Sequence, residues 1–203
     1  KSRIRGNWQE ATSLTFLPDG KSVVVAKIGN ETTPSTESKD SLVAVAYSPD
    51  GKTMASASRE GAVKLQDVAT GREIRILDGQ FKGISSLTYF PDGKMLASGG
   101  ADKAVRLWNT STGKLVRSIG ANTESIRSLT ISPDGQAVAF IADDGVAREW
   151  NVATGKLVHE MPGQTVAMAY SPRGQFLALG SGDTVQLWDT TTKRSIAELQ
   201  KTG

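Results

Sequence analysis

The sequence predicts an all-β fold assembled from repeated four-stranded antiparallel sheets, and three observations carry that prediction. A tripeptide close to Pro-Asp-Gly recurs five times, starting at Pro18, Pro49, Pro91, Pro133 and Pro172, with the last copy reading Pro172-Arg173-Gly174. The steps between copies are 31, 42, 42 and 39 residues, so three of the four match a supersecondary unit of about 40 residues. Between the copies lie short β-prone runs separated by turn residues, and no amphipathic helical pattern interrupts them.

The third unit sets out the element order. Ser86 to Phe90 is a β-prone run. Pro91-Asp92-Gly93 then supplies a preset φ followed by a residue free to take φ > 0, and Lys94 to Gly99 returns as the second strand of a hairpin. Gly100 to Lys103 turns again, Ala104 to Asn109 alternates apolar with polar side chains, Ser111-Thr112-Gly113 is a third turn, and Leu115 to Ile119 is a fourth strand. The outer half of this meander recurs at Val63 to Leu77, Ala147 to Met161 and Val185 to Leu199. One four-stranded sheet cannot bury both of its faces, so neighbouring sheets must stack; radial stacking also protects their edges. The expected architecture is a β-propeller with units at about 1–41 (partial), 42–83, 84–125, 126–164 and 165–203.

Composition narrows the chemistry. The 203 residues are 38% hydrophobic with 21 glycines, within the globular range. Lys plus Arg number 24 against 21 Asp plus Glu, a mildly basic balance with both signs mixed, which gives no one-signed surface for nucleic acid. The absence of Cys excludes disulfides, thiolate metal sites and cysteine nucleophiles. The longest apolar runs, Leu42 to Tyr47 and Ala137 to Ala142, are about a third of a membrane-spanning helix, so no membrane insertion is expected. Lys1 in place of Met, with no apolar leader, reads as a chain cut or processed from a longer polypeptide. No segment specifies a compartment; a cytoplasmic location is the default expectation.

A Trp stands 17 residues after Pro91 and Pro133, as Trp108 and Trp150, and 16 after Pro172, as Trp188. The strings Val105-Arg106-Leu107-Trp108-Asn109 and Val185-Gln186-Leu187-Trp188-Asp189, with Ser-Pro-Asp-Gly upstream and Thr-Gly-Lys downstream, resemble the WD-repeat (Trp-Asp repeat) propeller family over residues 42–200. The resemblance implies structural repeat roles for Asp102, Trp108, Asp144, Trp150 and Trp188. It also implies a buried network joining a Gly-His pair, a turn Asp and the Trp. Here the Gly-His positions read Gly79-Gln80, Gly120-Ala121 and Gly163-Gln164, and Gln66-Asp67 replaces one Trp-Asp pair, so no unit can build the whole network and looser blades are expected.

The first unit departs further. Val23 to Ile28 reads as a second strand, but Gly29 to Ser41 holds no apolar side chain and reads as a polar loop where other units place two strands. Ser2 to Gly6 aligns with Val116 to Gly120, an outermost strand. Four complete blades plus a partial one fall short of the seven usual for the family, which points to a portion of a larger propeller.

Catalytic readings find little support. His159, the one imidazole, lies in a predicted fourth strand, Lys156 to Met161, where an exposed edge residue is expected and no nucleophile or orienting acid accompanies it. Asp143-Asp144-Gly145 reads as a turn rather than a cation site. Gly99-Gly100 and Gly180-Ser181-Gly182-Asp183 lack the Lys and the following helix of a phosphate loop. No cofactor and no metal are expected.

Recognition by loops remains. If the Pro-Asp-Gly and Thr-Gly-Lys turns share one end of the sheets, the more variable loops share the other, and they supply the candidate partner-binding residues Arg59, Glu60, Phe81, Lys82, Lys103, Arg127 and Asp143. Arg59 and Phe81 are the first choices; the alternative for Phe81 is a plug over its own blade. The expected function is a non-catalytic scaffold binding a protein or peptide. The alternative is the regulatory or substrate-positioning propeller portion of a larger multidomain enzyme, with further blades or domains supplied from elsewhere.

Overall fold

A computed structural model describes residues 11–16, 23–27, 42–58, 61–77, 83–119 and 124–200, with backbone alone for 11–16, 23–27 and 42. All regular structure among them is β. Blade 1 holds β3 (Leu42–Tyr47), β4 (Thr53–Ser58), β5 (Val63–Asp67) and β6 (Glu73–Ile76). Blade 2 holds β7 (Ile84–Tyr89), β8 (Met95–Gly100), β9 (Val105–Asn109) and β10 (Leu115–Ile119). Blade 3 holds β11 (Ile126–Ile131), β12 (Ala137–Ala142), β13 (Ala147–Asn151) and β14 (Leu157–Met161). Blade 4 holds β15 (Ala167–Tyr170), β16 (Phe176–Ser181), β17 (Thr184–Asp189) and β18 (Arg194–Gln200). In each blade the strands pair antiparallel in chain order, without crossovers. Ahead of them β1 (Ala11–Phe16) and β2 (Val23–Lys27) form a two-stranded sheet, in keeping with the half blade expected of the first unit. The strand expected at Ser2 to Gly6 and the loop at Gly29 to Ser41 lie outside the described residues.

Turn chemistry sets the strand ends. In Ser48-Pro49-Asp50-Gly51, the Ser48 hydroxyl donates to the Asp50 carboxylate (2.7 Å) and accepts from Thr53 N–H (2.9 Å), while Asp50 also accepts from Lys52 N–H (3.0 Å). The same ring of bonds recurs at Ser132, Asp134, Gln136 and Ala137. These bonds explain a one-residue shift from expectation: Lys94 N–H is held by Asp92, so β8 begins at Met95 rather than Lys94. The third strand likewise starts at Val105, because Ala104 N–H points to the Asp102 carboxylate. At the outer turn, the residue after the Trp position is the cap. Asp67, Asn109, Asn151 and Asp189 accept from the N–H of Thr70, Thr112, Thr154 and Thr192 at 2.8, 2.8, 2.8 and 2.7 Å. Either Asp or Asn serves there because only an acceptor oxygen is required.

The blades stack in sequence around their first strands: β1 packs on β3, β3 on β7, β7 on β11 and β11 on β15. Among the described residues no comparable packing joins β15 back to β1. The seams are built alike. The back face of one blade offers a second-strand Ala (Ala55, Ala97, Ala139), a third-strand Val63, Val105 or Ala147, and at the end of the fourth strand Ile119 or Met161, or Leu77 just past β6. The next blade covers these with first-strand and second-strand side chains and the Trp position, as with Leu87, Tyr89, Leu96 and Trp108 over blade 1. Direct bonds add to the seam between blades 2 and 3, where the Ser85 hydroxyl donates to the Ile126 carbonyl and Leu129 N–H donates to Ser86 Oγ (3.2 Å).

The tryptophans do not share one network. Trp108, 1% exposed, donates its indole N–H to Ser98 Oγ at 2.8 Å. Phe140 occupies the corresponding place in blade 3, so the Trp150 indole N–H is buried without a partner. The Trp188 indole N–H has only a long bond to Gln186 (3.4 Å), and Gln66 accepts from Ser56 at the same length. The turn acids face elsewhere: Asp102 pairs with Arg106, and Asp144 with Arg148 (2.7 Å), one turn to strand contact in each unit.

Candidate functional site

Two sets of loops lie at opposite ends of the sheets. Thr110 N–H bonds the Lys94 carbonyl, Val152 N–H that of Gln136 and Thr190 N–H that of Gln175, which puts the Pro-Asp-Gly and outer turns together at one end. At the other end, Ala101 N–H bonds the Gly83 carbonyl and Asp143 N–H that of Ser125, both at 2.8 Å. The expected division of the turns is present.

At this second end every first strand of blades 1 to 3 carries a β-bulge at its second residue. The pairing register breaks between Leu42 and Ala44, between Ile84 and Ser86, and between Ile126 and Ser128. A bulge leaves one residue outside the ladder and re-aims its side chain. The three bulged residues, Val43, Ser85 and Arg127, stand 42 residues apart and line one cleft of about 430 Å³ shared by three blades, with Asp143 among the other lining side chains. Arg127 Nε donates to Asp143 Oδ1 at 2.6 Å, with both side chains about half exposed. The Arg127 guanidinium, then the Ser125 hydroxyl, holds the Asp143 carboxyl below its ordinary range, so it is ionised at neutral pH.

The structure thus brings together Arg127 and Asp143 from the expected set. Lys103 is exposed on the neighbouring β8–β9 turn at φ 65° and does not line the cleft. Arg59, Glu60, Phe81 and Lys82 lie outside the described residues. Sequence reasoning passes over Val43 because an apolar residue in a strand reads as core, and over Ser85 because it stands ahead of the run from Ser86 to Phe90; the signal that finds them is the 42-residue step back from Arg127.

His159 corrects an expectation. It is not an exposed edge residue: its ring sits 5.3 Å from that of Trp188, tilted by 55°, with Nε2 buried and unpartnered. Alternate side chains of a fourth strand face the next blade, and the third-strand Trp of that blade is what His159 meets. Among the described residues no group of three or more His, Asp or Glu side chains is placed to hold a metal ion, and no helix is long and apolar enough to cross a membrane.

The seam between blades 3 and 4 departs from its siblings. Glu149, 5% exposed, stands where blades 1 and 2 place Leu65 and Leu107. It accepts from the Tyr170 hydroxyl (2.9 Å) and from the Lys193 ammonium, both supplied by blade 4. Burial, then the Glu149 charge, raises the Tyr170 phenol far above its ordinary range, so it stays a donor. Lys193 occupies the outer-turn position held by Gly71, Gly113 and Gly155, and like them takes a positive φ, 57°.

No curated protein sequence matches the chain. The WD domain, G-beta repeat family matches it four times, over residues 30–67, 71–109, 113–151 and 155–189, which together span most of its length. The matches are offset from the sheets, each running from the outer part of one unit into the next, as expected where adjacent repeats are near copies. With the matching repeats, the four-stranded blades and their in-order stacking, this chain belongs to the WD-repeat family of β-propellers, whose domains generally serve as non-catalytic scaffolds for protein–protein interaction.

Proposed function

We propose that this chain is a scaffold that holds a protein or peptide partner at the end of the blades opposite the Pro-Asp-Gly turns, centred on the Arg127–Asp143 cleft. The recurring bulge supports this reading most directly. Three successive blades use the same ladder break to turn Val43, Ser85 and Arg127 toward a shared concavity, and bulges of this kind serve to re-aim side chains at functional places. A rigid sheet stack gives such residues a fixed spacing, and an Arg beside a small apolar floor is a frequent energetic anchor. Lys103, Arg59, Glu60, Phe81 and Lys82 belong to the proposed surface by their place in the repeats.

The test is capture of partners from the source organism by the native protein, by Arg127→Ala with Asp143→Ala, and by Arg59→Ala with Phe81→Ala. Loss of the same partners in both variants, with unchanged thermal melting, is expected. Retention of every partner by the first variant refutes the cleft as the centre of the surface.

A second observation bears on what else the chain meets. The back face of blade 4 carries Ala178, Val185, Leu187 and Leu199 in the seam positions of the other blades, yet Val185 is 39% and Leu199 64% exposed. This supports a further sheet packing there, as a larger propeller or a larger multidomain enzyme would supply. Native mass measurement with identification of co-purifying chains tests it.

A further inference from the structure

We propose that the seam between blades 1 and 2, at the Pro-Asp-Gly end, is a second binding site, which takes the side chain of a lysine from a partner peptide. The seam holds a cleft of about 630 Å³ with Leu65, Ile74 and Tyr89 among its apolar lining and the Asp50 and Asp92 carboxylates on its turns. Lys94 lines it too, so the lining residues carry two carboxylates against one ammonium, while Arg75, whose guanidinium donates to the Thr112 carbonyl (3.1 Å) beside Gly113, and Lys52, near Asp50, flank it.

The chain carries its own precedent two seams along. There Lys193 reaches inward from the outer turn of blade 4 to Glu149, which also receives the Tyr170 hydroxyl. Between blades 1 and 2 the corresponding positions are Gly113, Leu65 and Tyr89. No side chain comes from Gly113, and no carboxylate stands at Leu65. The consequence is visible in the tyrosine: Tyr89, 8% exposed, has its hydroxyl buried with no hydrogen-bond partner, although it lines the cleft. A buried hydroxyl left unpaired costs free energy that a bound donor or acceptor recovers. Burial, then the nearby Asp50 charge, raises the Tyr89 phenol above its ordinary range, which keeps the proton on it.

A lysine side chain answers each part of this lining. Its methylene stem covers Leu65, Ile74 and the Tyr89 ring, and its ammonium is offered to the Tyr89 oxygen and the Asp50 carboxylate. The site lies at the opposite end of the blades from the Arg127–Asp143 cleft, so it stands whether or not that surface binds a partner.

The test uses lysine capped at both ends as the probe, titrated into the isotope-labelled full chain, with the amide signals of Leu65, Tyr89 and Thr110 followed by NMR. Capped norleucine is the uncharged control. A single side chain is expected to bind with a Kd of about 1–10 mM. Tyr89→Phe is expected to weaken binding at least threefold while leaving thermal melting unchanged or slightly raised, because it deletes an unpartnered group. Leu65→Glu, which installs the Glu149 arrangement, is expected to tighten binding about tenfold if it folds, the strength of a charge-assisted bond. Equal shifts with capped norleucine, the absence of saturable shifts at those amides, or an unchanged Kd in Tyr89→Phe would overturn the proposal. Arg127→Ala must leave the Kd unchanged.

Discussion

Replacing Lys193 by Gly sets two effects of opposite sign against each other. The residue sits at φ 57°, a region that costs a side-chain-bearing residue about 1–2 kcal/mol and glycine almost nothing, so the change relieves strain. It also strands Glu149, 5% exposed, with only the Tyr170 hydroxyl for company. Removing one partner of a buried pair costs about 3–5 kcal/mol. The net is a loss of about 2 kcal/mol, which for a chain of this size lowers Tm by about 4–8 °C. Restoring the pattern of the other seams, with Glu149→Leu added, removes the stranded charge and leaves only the Tyr170 hydroxyl unpaired, as Tyr89 already is. The double variant is therefore expected to recover at least half of the loss. Calorimetric melting measures the totals, and amide exchange in β15–β18 shows where the seam opens. A Lys193→Gly variant as stable as the native chain would refute the reasoning, since the turn strain would then outweigh the ion pair.

Other expectations follow from the repeat positions. Leu77→Ala, at a seam position 1% exposed, costs about 2–5 kcal/mol in chemical denaturation, whereas Leu199→Ala at the matching place in blade 4 changes stability by less than about 0.5 kcal/mol. Trp108→Phe loses the bond to Ser98 and leaves that hydroxyl buried, so it costs about 1 kcal/mol more than Trp150→Phe, which deletes an indole N–H that has no partner. Asp134 is held below the ordinary carboxylate range by the Ser132 hydroxyl first and Gln136 N–H second. A depressed folded pKa stabilises above the unfolded value and loses that effect as pH falls through the folded one. The stability gap between native chain and Asp134→Asn is thus constant above about pH 5 and closes below about pH 4, and melting curves across that range check it.

What was legible in the residues was whatever lies within one unit. Pro91-Asp92-Gly93 marked a hairpin because Pro and Gly restrict or free the backbone on their own account, and a 42-residue step then located the same hairpin elsewhere. The outer turns read equally well, since Asn109 and Thr112 are three residues apart. Relations between units were harder. Glu149 and Lys193 are 44 residues apart, and in isolation a Glu in a strand and a Lys in a turn carry no sign that they meet. The clue was paired departure: a Glu where siblings have Leu, and a Lys where siblings have Gly, in adjacent units. Asp102 and Asp144 were placed in their turns correctly, but their capture by Arg106 and Arg148 depended on the alternate faces of the third strand. His159 illustrates the same limit, because its surroundings belong to the next blade.

The in-order pairing of strands has a consequence for how such a chain can grow. Among the described residues each ladder closes within about 40 residues, and blades meet their neighbours in sequence through one seam on each side. Duplicating or deleting a whole unit therefore alters no ladder and rewrites a single seam. The near-identical lengths of the middle units and the paired Glu149 and Lys193 are what such copying, followed by local repair of one junction, would leave behind.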